Sequence, residues 1–352
     1  MKKGWDWTLF LTILAIGALS LLAIYSISRN LAFNQLIFWT IGLTILFLFS
    51  FFDYRHWQRP SPFLYLATII FLFALFFIAE PIRGSVRWIN LGIFRFQPSE
   101  IAKVASILVL ALFYRQRSAK EIKNLIASSL IILPAILLIM FEPDIGNILA
   151  LIAIWLGISL AAGLKLKHAV ALVVASFLMA MVIFKILAPY QQARIYSFIN
   201  PQADPLKTGY SLIQSKIAIG SGQFFGRGLG QGSQSQLNFL PEAESDFIFA
   251  SIAEQLGLLG ALILLVLYTL LIIKILNCTK DTDRFGQLII AGGISYLILQ
   301  FFVNIGMNMA ILPVTGITLP LVSYGGSSLI STLFLLGIIF SIKRLRFEAK
   351  TW

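Results

Sequence analysis

The chain has 352 residues, of which 59% are hydrophobic and 12% charged, about half the charged share of an ordinary soluble domain. That apolar load excludes a water-soluble enzyme, and the scarcity of charge excludes an intrinsically disordered chain. The net charge of +12 would suggest nucleic acid in a soluble protein, but in so apolar a chain it marks the cytoplasmic loops of a membrane protein.

A helix rises about 1.5 Å per residue, so a hydrocarbon core of roughly 30 Å needs about 20 apolar residues. Ten segments approach that length, near 7–27, 33–52, 61–79, 99–114, 125–141, 145–163, 168–188, 246–275, 286–308 and 325–342. The first follows Met1-Lys2-Lys3 as a signal peptide would. Its apolar run is too long for one, and no small-residue cleavage site precedes Arg29, so it reads as a retained span. The fourth and fifth are the shortest and are expected to be tilted or partly re-entrant. With the amino terminus in the cytoplasm, 17 Lys and Arg fall on inside segments and 8 on outside ones. The expected fold is therefore an all-α polytopic membrane protein of about ten spans, a single domain with both termini cytoplasmic.

The outer side collects the acidic residues Glu80, Glu100, Glu142, Asp144, Asp204, Glu242, Glu244 and Asp246. It also carries the one long connection, about 189–245, between spans seven and eight, and loops of that length are usually functional. Within it Leu206, Tyr210, Ile213 and Ile217 fall at helical spacing and predict a short helix on the membrane surface. The glycine-rich stretch Gly220–Gly232 lacks the GxGxxG spacing and reads equally as a flexible turn or as a backbone cradle for an anion. A lone Asp281-Thr282-Asp283 in a basic cytoplasmic loop reads as solvated rather than metal-binding. Cys278 is the only cysteine, and His56 and His168 the only histidines, so neither a disulfide framework nor a structural zinc cluster is available.

More chemistry is offered where acidic residues stand at helix entrances. Asp246 and Asp144 each precede a span and could be N-caps, and Glu100 could sit in a first turn. Glu100 and Lys103, three residues apart, share a helix face. Ionisable groups at membrane depth are costly, so these two either pair with one another or line a cavity, where Lys103 could hold a lipid diphosphate.

Six blocks in order then carry a resemblance that covers nearly the whole chain. They are Phe96–Lys103 (FQPSEIAK), Glu142–Gly146 (EPDIG), Ala193–Ile195 with Asn200–Pro205, Gly209-Tyr210 with Gln214-Ser215 and Ile219–Gly222, Leu240–Glu242 with Asp246–Ala250, and Pro313–Ser328. With these blocks, and with ten spans and a large outer loop, the chain resembles the SEDS (shape, elongation, division and sporulation) family of polytopic peptidoglycan polymerases. Pro313–Gly316 and Ser233–Asn238 look more like its elongation branch than its division branch. There are departures: Glu244-Ser245 stand where the family commonly has His-Thr, Gln223 replaces a usual Gly, and Asn147 a usual Thr.

The resemblance implies glycosyl transfer on the outer face of the bacterial cytoplasmic membrane. Lipid II would be the acceptor and glycan on undecaprenyl diphosphate the donor, with a β-1,4 link formed. It assigns Asp246, Glu100 and Lys103 to catalysis, and Arg87, Arg194, Asp144, Ser323 and Tyr324 to the substrate and its diphosphate. A divalent cation, Mg2+ or Mn2+, would sit on Asp246 and Glu100, and no nucleotide cofactor is implied. The expected partner is a class B penicillin-binding protein whose single span packs on this chain. Gly292, Gly293 and Ser295 would permit such packing. Membrane lipids, and no nucleic acid, complete the list. A lipid II flippase and a non-catalytic scaffold of the wall-synthesis complex are the competing readings.

Overall fold

The computed structural model describes residues 5–78, 87–90, 95–172, 209–280 and 282–349, with 174, 192 and 198. Helix α1 spans Trp7–Ile27 and α2 Arg29–Phe51. Between them the extended backbone of Ser28 ends one helix while its hydroxyl caps the next. A short 3-10 turn, Tyr54–Gln58, leads to α3, Ser61–Ile78. A two-residue antiparallel pairing, Ile89 with Phe96 and Asn90 with Arg95, then leads into α4, Pro98–Tyr114. There follow α5 (Ile122–Phe141), α6 (Ile145–Ala161), α7 (Tyr210–Gly222), the four-residue α8 (Ser233–Gln236), α9 (Ile248–Leu276), α10 (Arg284–Asn308) and α11 (Gly326–Ala349).

Seven helices among the described residues (α1, α2, α3, α5, α9, α10 and α11) are long and apolar enough to cross a bilayer, and α6 is a shorter apolar helix. Their outer faces carry large apolar side chains, such as Phe63 at 74% exposure and Phe77 at 76%, which suit a hydrocarbon solvent. The chain is thus an all-helical multi-pass membrane protein. The expected span 168–188 lies mostly outside the described residues, which are helical at 166–172.

Helix α4 is the exception to lipid exposure. Pro98, at its first position, is preset for a helix start, and from there to Tyr114 almost every residue is buried against α3, α6 and α10. It is one continuous helix, and its central place explains how it carries Glu100 and Lys103. The small residues of α10 are likewise turned inward. A side chain on Gly292 would meet Ile107 and Ile158, one on Gly293 would approach Ile339 and Leu335, and Ser295 abuts Gly157. The expectation that these residues receive a partner's span is corrected: they close the packing of α10 on α4, α6 and α11. Asp283 caps α10 through the Gly286 N–H at 3.3 Å and accepts the Tyr54 hydroxyl, so it serves the fold.

The predicted surface helix exists as α7, but a different face is used. Leu212, Ser215, Ala218 and Gly222 are buried, while Ile217 is exposed. Small side chains let α7 dock on α9 and on the end of α10, where the Ser215 hydroxyl donates to the Asn308 carbonyl at 2.7 Å; Leu206 lies outside the described residues. The glycine-rich stretch serves α9 too. Helix α9 is broken at Gly257, whose φ is +67°. Across the break the N–H groups of Arg227 and Gly228 donate to the carbonyls of Glu254 and Gln255 at 2.9 and 3.0 Å. Leu258 and Leu259 donate back to Gln223 and Phe224 at 2.9 and 3.2 Å. A Cβ on Gly226 would lie 2.1 Å from the Gln255 carbonyl oxygen, which is why the close approach needs glycine. The Gly230 N–H goes to the Gln255 side chain at 3.0 Å. The stretch is therefore neither a loose turn nor an anion cradle: its donors satisfy a broken membrane helix.

Candidate active site

Helix α9 begins at Ile248 with no side-chain cap, so Asp246, two residues earlier, is not spent as an N-cap. Its position is set through the main chain. The Asp246 carbonyl accepts the side-chain amides of Asn304 at 3.0 Å and Asn308 at 2.9 Å, and Asn308 Oδ1 accepts the Ala250 N–H at 3.0 Å. Both asparagines are fully buried, one turn apart near the end of α10. Asn304 also holds the Ile317 carbonyl at 2.8 Å. Beside Ile317, Gly316 adopts φ +74°, and a Cβ there would lie 3.6 Å from Asp246 Oδ2. The missing side chain of Gly316 thus leaves space beside the Asp246 carboxylate.

The segment that follows locks the same turn. The Ser323 hydroxyl donates to the Ser245 carbonyl at 2.6 Å and accepts the Leu319 N–H at 2.8 Å, while the Tyr324 N–H donates to the Glu244 carbonyl at 2.8 Å. Ser20 from α1 holds the Val322 carbonyl at 2.6 Å, Gln35 from α2 holds that of Ser323 at 3.1 Å, and Tyr268 from α9 holds that of Pro320. Residues 316–325 are therefore a rigid shelf beneath Asp246.

Two further groups abut this shelf. At the start of α6, Asp144 caps the helix through the Asn147 N–H at 3.2 Å. Its Oδ2 also accepts Asn147 Nδ2 at 2.9 Å and Gln97 Nε2 at 3.2 Å, with Arg87 3.9 Å away. Arg87 donates to the carbonyls of Glu142 and Pro143 at 2.9 and 2.5 Å. Gly146 packs directly on Ile317, where a Cβ would sit 2.5 Å from Cγ1. On the other side, Glu100 and Lys103 form an ion pair at 2.7 Å, at 3% and 1% exposure. Lys103 Nζ lies 4.9 Å from the Tyr296 ring centre, and the Ser331 hydroxyl donates to Glu100 Oε2 at 3.3 Å.

The structure thus gathers Asp246, Ser323, Tyr324, Arg87, Asp144, Glu100 and Lys103 around residues 316–331; Arg194 lies outside the described residues. The Glu100–Lys103 pair is closed rather than facing a cavity. Both Glu100 oxygens are engaged, Oε1 by Lys103 and Oε2 by Ser331, so a metal at Glu100 would have to share these bonds. Among the described residues no three His, Cys, Asp or Glu side chains cluster as a metal site would require. Asn304, Asn308 and Glu142 were not singled out from the sequence for the parts they play here. The asparagine pair was signalled by two costly amides at i, i+4 spacing in an apolar span.

The fold and this arrangement define a polytopic helical membrane protein with a carboxylate set at one end of its bundle. The chain belongs to the FTSW_RODA_SPOVE family, described as "Cell cycle protein", whose model matches residues 5–347. The peptidoglycan glycosyltransferase MrdB of Escherichia coli is 41% identical over 351 residues, covering 97% of this chain and 94% of that one. Stage V sporulation protein E of Bacillus subtilis is 36% identical over 88% and 86% of the two chains. Among solved structures, a chain described under "Structural coordination of polymerization and crosslinking by a peptidoglycan synthase complex" superposes with a TM-score of 0.86. It is 29% identical over 97% of this chain and 98% of that one. The rod shape determining protein RodA of Thermus thermophilus gives a TM-score of 0.74 at 28% identity, over 97% of both chains.

Proposed function

We propose that the chain is a peptidoglycan glycosyltransferase that polymerises lipid II into β-1,4-linked glycan during cell elongation, on the outer face of the bacterial cytoplasmic membrane. The single observation that carries the site is Asp246, held by its main chain on a rigid shelf and not consumed as a helix cap. The likeness to a peptidoglycan glycosyltransferase over almost the whole chain supports the reaction class.

The acceptor's sugar hydroxyl is a weak nucleophile. Asp246 takes its proton as the oxygen attacks the donor's anomeric carbon from the face opposite the lipid diphosphate, which departs with the bonding pair. General-base help of this kind is typically worth about 10²–10⁴ in rate. A rigid shelf spares reorganisation at the moment of reaction. Arg87 and Arg194 supply charge to the leaving diphosphate. Lys103 joins them when Glu100, its positioning partner, releases it. A Mg2+ or Mn2+ ion would be held by the Asp246 carboxylate, with further ligands from substrate phosphate and water; bound, it would supply further charge to the leaving group.

The topology we assign has ten spans, both termini cytoplasmic and residues 189–245 outside. The superposition on a member of a peptidoglycan synthase complex supports a class B penicillin-binding protein as the crosslinking partner. The test is purified Asp246→Ala protein, shown to be folded, incubated with lipid II beside wild type. Wild type is expected to make polymer and the variant none. Wild-type-like polymer from Asp246→Ala overturns the base assignment; wild type that moves lipid II across sealed vesicles without polymerising it overturns the transferase.

A further inference from the structure

At the end of α4 opposite Glu100, the chain carries a concentration of cations. Arg115, Arg117, Lys123 and Arg284 line a cavity of about 710 Å³ whose wall holds a single carboxylate, Glu121. Two of these arginines are fixed from behind. Arg284 donates Nε and Nη2 to the carbonyls of Tyr114 and Ala162 at 3.4 and 3.2 Å, and Arg115 donates Nη1 to Gln58 at 2.6 Å. A guanidinium has five donors in a rigid fork, so each keeps donors for an anion.

The first turn of α5 also borders an apolar cavity of about 360 Å³, with Ile122, Leu125, Leu164 and Leu172 in its wall. From Ile122, at 68% exposure, an apolar stripe climbs the outside of α5 at helical spacing through Ile126 (54%) and Leu130 (60%) to Leu133 and Leu137. A pocket of fixed cations thus stands at the foot of a lipid-facing apolar stripe. Of the ligands available to a membrane protein, a phospholipid has that two-part chemistry: phosphate oxygens for the arginine forks and acyl chains for the stripe. The excess of cations disfavours a zwitterionic headgroup, whose ammonium would meet like charge.

We propose that this cavity holds the headgroup of an anionic phospholipid, with its acyl chains against the Ile122–Leu137 face of α5. The site is separate from Asp246, and its test does not depend on the polymerase reading. Full-length protein in detergent is incubated with cardiolipin, phosphatidylglycerol or phosphatidylethanolamine, and bound lipid is read by native mass spectrometry. Wild type is expected to retain an anionic lipid about tenfold over phosphatidylethanolamine. That preference is expected to fall about tenfold in the Arg117→Gln/Lys123→Gln variant, whose side chains are exposed and make only surface contacts, to the Phe113 ring and to Glu121. It is expected to persist in Lys274→Gln/Lys280→Gln, which removes the same charge on the same side away from the cavity. Equal losses in the two variants would mean general surface attraction and overturn the proposal. Equal retention of phosphatidylethanolamine by wild type, or displacement of the lipid by equimolar inorganic phosphate, overturns it as well.

Discussion

Glu142 sits in the turn between α5 and α6, fully buried, and neither carboxylate oxygen has a hydrogen-bond partner. Burial first, then the nearby Asp144 charge, pushes its carboxyl up to about 8, against the opposing pull of Arg87. A carboxyl raised on folding adds stability at low pH and loses it as pH climbs from the ordinary carboxylate range through about 8. Glu142→Gln, close in shape and uncharged, is expected to match wild type in thermal denaturation at pH 5 and to melt several degrees higher at pH 9. A difference independent of pH would mean that Glu142 does not titrate between pH 5 and 9. Asn308 makes a different prediction. Asn308→Ala leaves the Ala250 N–H orphaned and one bond fewer on the Asp246 carbonyl, at a cost of about 1–3 kcal/mol. Its role is positioning, so kcat should fall about tenfold, on the scale of general-base help, with KM for lipid II little changed. Asp246, Glu100 and Lys103 stood out in the sequence as candidates because ionisable groups are rare at the ends of apolar runs. Asn308 did not, since an amide in a span shows its importance only once its partners are known.

At the level of elements, apolar run lengths placed the helices well: α1 is Trp7–Ile27 as expected, and α4, α6, α9 and α10 begin and end within a few residues of the predicted spans. The break in α9 was invisible, because Leu256-Gly257-Leu258-Leu259 reads as uninterrupted apolar sequence. Glu254, the acidic residue inside that span, was the missed signal. It is fully buried and accepts the N–H groups of Gln234 and Ser235 at 2.8 and 3.1 Å and the Ser235 hydroxyl at 2.9 Å, so it pins α8 beside the break. The glycine stretch then divides by position. Gly226 faces backbone at 2.1 Å with φ +83°, whereas Gly220 faces open space inside α7. Gly226→Ala is expected to lower the melting temperature and the yield of folded protein sharply. Gly220→Ala is expected to be neutral or to stabilise by up to about 1 kcal/mol, Ala being the better helix former. Equal effects of the two would show that the break does not rely on this contact.

For the whole molecule, the charge excess and the inward-facing α4 tell one story. Cations gather where α4 ends, at Arg115 and Arg117, and the acidic site gathers where it begins, at Glu100. The proposed topology therefore puts Arg117 and the exposed Leu237, nine residues before Asp246, on opposite sides of the bilayer. With Cys278→Ser as background, Arg117→Cys should react with an impermeant thiol reagent only from the cytoplasmic side, and Leu237→Cys only from the outside. Labelling of both from one side would refute the assigned orientation. Composition could announce a membrane protein. It could not reveal the shelf at residues 316–325, which is built by side chains from four distant helices, α1, α2, α9 and α10.

The broken α9 also constrains how the chain is made. Residues 223–228 precede α9, so the partners for its unpaired carbonyls and N–H groups leave the ribosome before the break itself does. If α9 entered lipid alone, it would carry exposed backbone polar groups into hydrocarbon, at several kcal/mol each. The two segments must therefore insert as a unit, with the loop waiting at the membrane for the helix that it completes. Assembly here runs in chain order, and a delay between the two would leave the half-made protein as a target for membrane proteases.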